Sequence, residues 1–177
     1  LNQHIRDAGL VGFSESLARL RHRCSKSLLT AMIVENPSRE IQAQACYHLA
    51  VLLKDEARHG ENVAATRESE RWFERAISDY GSTSIDGRTL KELATPELFE
   101  LRHLTLGRRA PEMEGADLDG DPMKLSDFRG NVVVIVFWWV DCVEAPALRR
   151  LVERRSGRPL KILGVCGERD LAKAKAE

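Results

Sequence analysis

The chain has 177 residues, room for one ordinary domain or two small ones. With 43% hydrophobic and 31% charged residues it is globular in composition, neither disordered nor collagen-like. Basic and acidic residues number 27 each, and the balance is local as well: 14 and 15 up to residue 105, then 13 and 12. Neither half has the basic excess of a nucleic-acid binder. The longest apolar run, Val132 to Val140, is nine residues, well short of the ~20 that a membrane helix needs. The four cysteines (Cys24, Cys46, Cys142, Cys166) lie far apart with no Cys-x-x-Cys among them, which fits neither a disulfide framework nor a zinc site. No metal and no bound cofactor is expected.

The first hundred residues read as helices. Ser14 to Arg23 carries Leu17 and Leu20; Ser25 to Glu35 carries Leu28, Leu29, Met32 and Ile33 in one apolar stripe. Asn36-Pro37 reads as an N-cap followed by proline at the first helical position, opening a helix from about Pro37 to Arg58 that Gly60 ends. Its apolar face holds Ile41, Ala45, His48, Leu49 and Leu52. A polar stretch from Glu61 to Glu70 leads to Trp72, Phe73, Ala76, Ile77 and Tyr80 at helical spacing, stopped by Gly81. Gly81 to Gly87 is a loop by composition, and Thr95-Pro96 begins a last short helix with Leu98, Phe99 and Leu101. Trp72 to Tyr80 resembles the second helix of a tetratricopeptide-type repeat, without the repeat's period of about 34 residues. The expectation is a set of helical hairpins over residues 1–105, serving as support or as a surface for a protein partner.

The pattern changes after Gly107. Met113 to Leu118 and Pro122 to Leu125 flank Asp119-Gly120, a two-residue hairpin signal. Ser126 is a candidate cap for a short helical turn whose exit at Gly130 needs a positive φ. Val132 to Val140 is β-branched and apolar on both faces, as a buried central strand should be. A helix is expected from about Cys142 to Arg155, then a break at Ser156 to Pro159, then a strand from Leu160 to Val165. Strand, helix, strand makes a βαβ unit with parallel strands. Leu171 onward starts another helix.

Gly107, Ala110-Pro111, Leu118, Asp119-Gly120, Leu125-Ser126-Asp127-Phe128, Gly130, Val132-Val133 and Phe137-Trp138 fall in a familiar order and spacing. In this stretch the chain resembles the thioredoxin-fold redoxins, the thiol-specific antioxidant and thiol–disulfide oxidoreductase group. The helical part is similar to the leader of some bacterial redoxin-domain proteins. The fold class expected is therefore α+β in two parts: helical hairpins over 1–105, then a truncated thioredoxin-like α/β domain over 106–177, a β-hairpin followed by βαβ. The resemblance also implies a cis-proline, an antiparallel strand pair and a closing helix beyond Glu177. The natural protein is thus expected to continue for several dozen residues, and to extend before Leu1 as well. An extracytoplasmic bacterial setting, periplasm or cell envelope, is what the resemblance suggests.

The first strand of the unit leads to Cys142 at the C-terminal edge of a parallel sheet and the N-terminus of a helix, where open α/β sheets place their sites. Helix-end N–H groups favour a thiolate there and lower a thiol pKa from about 8.5. In the family that Cys begins Cys-x-x-Cys: the first attacks a disulfide, the second resolves the mixed disulfide. Cys142 keeps the attacking position, whereas Ala145 stands at the resolving one and Asp141 precedes the thiol. The carboxylates of Asp141 and Glu144 oppose ionisation, while the helix terminus promotes it by ~0.3–1 kcal/mol. A peroxiredoxin has Thr three residues before its peroxidatic Cys; here that residue is Trp139, which leaves a less specific monothiol reduction of peroxide. Trp138 and Trp139 point to opposite strand faces; at least one is expected in the core, the other being a candidate wall of the site.

Cys166, at the end of the second strand, is a candidate resolving thiol, with a small buried hydrophobe as the alternative. Neighbouring strands lie about 4.8 Å apart, so Cys142 and Cys166 should emerge at one sheet edge. All five histidines precede the redoxin-like segment; His48 reads as a core residue, and Cys24 and Cys46 as buried, inert thiols. Arg149, Arg150, Arg154 and Arg155 read as a solvated helix face. Two functions stay open. One is a thiol oxidoreductase using a dithiol reductant and a protein disulfide or peroxide; the other is a non-catalytic interaction module carrying a degenerate redoxin domain.

Overall fold

The computed structural model describes residues 2–57, 61–138, 150 and 159–167. The chain is α+β, with helices in its N-terminal part and small sheets after them. It divides into two compact units, Leu1–Pro111 and Glu112–Glu177.

The first unit contains α1 (Asn2–Ile5), α2 (Phe13–Leu20), α3 (Ser25–Glu35), α4 (Arg39–Glu56), α5 (Val63–Tyr80) and α6 (Leu90–His103). Helix α4 lies at its centre, packing against α2, α3, α5 and α6. The predicted apolar face is buried there: Ile41, Ala45, Leu49 and Leu52, joined by Cys46 and Leu53. Phe73 of α5 is fully buried against Ala50, Ala94, Leu98 and Leu101, with its ring edge-on to Tyr47 at 6.0 Å. Lys54 of α4 reaches α6 and donates to both Glu97 (2.7 Å) and Glu100 (2.6 Å).

Several local expectations give way to specific hydrogen bonds. Ser38, not Asn36, caps α4, its side chain accepting from Ile41 N–H. Asn36 is buried and otherwise engaged: its amide donates to the carbonyls of Ile5 and Asp7 and accepts from Ser38 N–H, pinning the first turn of chain to α3. The polar stretch before Trp72 is helical, because Asn62 caps α5 and the helix begins at Val63, well before the apolar run. Helix α6 starts at Leu90 rather than at Pro96, held by a Thr89–Glu92 capping box. Pro96 therefore sits inside the helix and cannot donate to Glu92 O, which accepts from Arg88 Nη2 at 3.4 Å instead.

The loop between α5 and α6 holds a small hairpin, β1 (Ser84–Ile85) and β2 (Arg88–Thr89). Asp86 (φ 49°) and Gly87 (φ 80°) form its turn, the left-handed pair that two-residue hairpins need.

His48 is half-buried, its Nδ1 2.8 Å from the buried Ser14 hydroxyl, which ties α2 to α4. Burial holds its pKa below the ordinary 6.5, against the upward pull of the Glu15 carboxylate. The unfolded chain binds that proton more readily, so the neutral imidazole's contribution to stability is complete above about pH 6.5 and is lost as pH falls through the lowered folded value. His48→Gln is expected to flatten this decline. Urea midpoints of both proteins at about pH 7.5 and about pH 5 would check it, equal slopes counting against the assignment.

In the second unit, β3 (Glu114–Ala116) and β4 (Pro122–Lys124) form an antiparallel hairpin. Its connection spans five residues, Asp117–Asp121, rather than the two expected at Asp119-Gly120. The Asp117 carboxylate accepts from the N–H groups of Asp119 and Asp121 and so opens the loop. A short 3-10 turn, Leu125–Phe128, follows. Ser126 does not cap it: Asp127 accepts from Lys124 N–H, and Ser126 N–H donates to Glu112. Gly130 has the positive φ expected (87°). Then β5 (Val132–Trp138) and β6 (Leu160–Cys166) pair in parallel. Of the expected helix at 142–155 only Arg150 is described, as helical, and the expected helix from 171 lies outside the described residues. Val132 and Phe137 are 64% and 63% exposed, so β5 is not buried on both faces along its whole length.

Candidate active site

Two strands build the described part of the site. Val132 to Trp138 is paired residue for residue with Leu160 to Cys166, Trp138 standing directly beside Cys166. The ladder is closed at both ends, by Val132 N–H to Pro159 O (2.7 Å) and Gly167 N–H to Trp138 O (3.1 Å). Seven consecutive parallel pairs of mostly apolar residues fix the register, since a slip by one residue would turn every side chain to the opposite face. Register partners share a face, so Val136, Trp138, Gly164 and Cys166 project on the same side of this pair.

Trp138 and Cys166 are half-buried and border a cleft of about 530 Å³. Its lining includes Met113, Leu118, Met123 and Leu125 together with Ile135, Trp138, Leu163 and Cys166 of the two strands, and most of it is apolar. The indole of Trp138 leans diagonally across to β6. A Cβ added to Gly164 would lie 2.8 Å from indole Nε1 and 3.3 Å from Cδ1. The sequence reading does not single out Gly164; the available signal is a glycine inside a strand, which often marks a close approach.

Of the expected site residues, Trp138 and Cys166 are brought together at the C-terminal edge of the strands. Cys142, Trp139, Asp141, Glu144 and Ala145 lie outside the described residues. Of the four arginines after Cys142, Arg150 is helical and exposed, and the other three lie outside too. No group of three or more potential metal ligands occurs among the described residues. The remaining cysteines divide: Cys46 is completely buried, as expected, and burial pushes its pKa up to about 12, whereas Cys24, expected to be buried as well, is exposed at the start of α3.

Residues 106–176 match the model of the AhpC/TSA family. Over that segment the chain is similar to the family, which supports a thioredoxin-fold redoxin there. No solved structure matches the chain. The family match supports thiol oxidoreductase or thiol peroxidase chemistry for the redoxin segment, with thiol or peroxide substrates and a reductant. Among the described residues no helix is long and apolar enough to cross a membrane.

Proposed function

We propose that the protein is a redoxin-type thiol oxidoreductase in which Cys142 attacks and Cys166 resolves. The observation that carries this reading is the pairing of Cys166 with Trp138 at the C-terminal strand edge, four residues before Cys142 in the chain. On a disulfide substrate, the Cys142 thiolate bonds to one sulfur and expels the other as a thiolate, which takes up a proton. The Cys166 thiolate then attacks Cys142 Sγ, forming a Cys142–Cys166 disulfide and releasing the second substrate sulfur. A dithiol reductant restores both thiols and leaves as its own disulfide. On a peroxide, Cys142 becomes a sulfenic acid with release of an alcohol or water. Cys166 condenses with it, releasing water. Ala145 makes a resolving thiol from elsewhere in the chain necessary for this cycle.

The second reading, a non-catalytic module, draws on Ala145 and on the two carboxylates flanking Cys142. The pH dependence of Cys142 alkylation, followed peptide by peptide in the full chain, separates the two. An apparent pKa below the free-thiol value of about 8.5 is expected; one at or above it favours the module.

A further inference from the structure

Helix α2 is held to α4 by side-chain bonds at three points. Gly12 N–H donates to Gln44 Oε1 (3.0 Å), Ser14 Oγ lies 2.8 Å from His48 Nδ1, and Arg21 Nη2 donates to Asp55 (2.7 Å). Its apolar anchorage is thin: Leu17 and Ala18 are buried, whereas Phe13 and Leu20 are exposed. Eight residues are too few to hold a helix by themselves in water. Left-handed residues bound it on both sides, Gly12 (φ 79°) and Arg21 (φ 47°). That conformation suits glycine but strains arginine, and the exposed Arg21–Asp55 pair opposes the strain only weakly.

Ser14 is completely buried, and His48 is the one hydrogen-bond partner of its hydroxyl among the described residues. The hydroxyl hydrogen therefore goes to Nδ1, and the neutral ring carries its own proton on Nε2. A second proton on the ring occupies Nδ1 and removes this acceptor. The Ser14 hydrogen is then buried and unbonded for as long as α2 stays docked. His48 borders an open cleft of about 410 Å³ between α2, α4 and α6. The groups acting on the ring are Glu15 and Arg19 of α2, the Gln44 carbonyl of α4 and Asp86 of the α5–α6 hairpin. Glu15, Asp86 and Gln44 favour imidazolium and Arg19 opposes it; burial outweighs them all and holds the ring neutral. The Tyr47 ring stands edge-on to the imidazole at 5.4 Å. Arg21 and Asp55, paired with each other, and Glu97, held by Lys54, line the same cleft.

We infer that α2 is an acid-released latch: protonation of His48 frees the segment from Gly12 to Arg21 from α4 while the rest of the helical unit stays folded. The docked state holds the neutral ring and the released state an ordinary imidazole. Docking is therefore complete above about pH 6.5 and weakens as pH falls through the lower docked value. Release uncovers Leu17, Ala18 and the α4 side of the cleft, Tyr47 and Val51. The latch is independent of the thiol chemistry proposed above.

Amide hydrogen exchange of the full chain, read peptide by peptide and corrected for intrinsic rates, tests the latch. From about pH 7.5 to about pH 5, protection over 12–21 should fall about tenfold. At the lower pH it should lie about tenfold or more below that of α5 and be insensitive to sub-denaturing urea, because release exposes little surface; α5 exchanges through unfolding and follows urea. In His48→Gln the α2 protection should change by less than about twofold between the two pH values. No loss in α2, exchange of α2 with the urea slope of α5, or an undiminished loss in His48→Gln overturns the inference. Should His48→Gln not fold, the wild-type ring decides through its ¹⁵N shifts. A neutral Nε2–H tautomer that titrates in step with the loss of α2 protection supports the latch. An Nδ1–H tautomer, or a ring that titrates apart from that loss, overturns it.

Discussion

Replacing Cys142 by serine is expected to lower reduction of a small disulfide or hydroperoxide, with dithiothreitol as reductant, by about 10³-fold or more. A hydroxyl at this position is not ionised near neutral pH and forms neither a mixed disulfide nor a sulfenic acid. Cys166→Ala should behave differently: the first bond still forms, the mixed disulfide accumulates, and intact mass would show one substrate adduct per chain. Ala145→Cys places a thiol at the position where the family's Cys-x-x-Cys has its second cysteine and should raise turnover in the otherwise wild-type chain and in Cys166→Ala. Activity retained within about twofold in Cys142→Ser would move the chemistry to another thiol and remove the basis of the proposed cycle.

The second large effect concerns stability. Phe73→Ala is expected to cost about 3–5 kcal/mol, because it empties a fully buried site where α4, α5 and α6 meet. Small domains are stable by only about 5–15 kcal/mol, so the variant should sit close to unfolding at ordinary temperature. Urea titration followed by helical circular dichroism gives the comparison. Phe99→Ala, where the ring is 47% exposed, should cost far less. A Phe73→Ala midpoint indistinguishable from wild type would mean that the α4–α5–α6 junction is not the packed core described.

The parts of this fold written in the sequence are those with strong local periodicity or chemistry. Helix α3 has the bounds that its apolar stripe predicts, Ser25–Glu35. The two apolar runs flanking Cys142 pair in parallel, as a strand-helix-strand unit requires. Gly130 takes its positive φ. The misses share another cause: single polar groups that choose among several legal partners. Asn36 and Ser38 both suit an N-cap, and only the burial of Asn36 against Ile5 and Asp7 decides between them. The first turns of α5 are almost devoid of large apolar residues, so hydrophobic spacing could not reveal them; the Asn62 cap could have. Pro96 misleads because proline opens helices more often than it is carried inside one. At the site, Trp138 and Cys166 were legible from strand order. The relation of Trp138 to Gly164 was not, since it depends on which way a ring leans.

The hairpin between α5 and α6 has a mechanical consequence. Tyr80 O accepts from Thr83 N–H, Gly81 O from Lys91 N–H, and Thr83 O from Leu90 N–H, so both helix ends are bonded to the same few residues. Arg88 adds its bond to the carbonyl that Pro96 leaves open. The connection behaves as a stiff elbow rather than a hinge. A load applied at the far end of α6 reaches α5 as a rotation of one body, and fraying at the elbow would release both helices together.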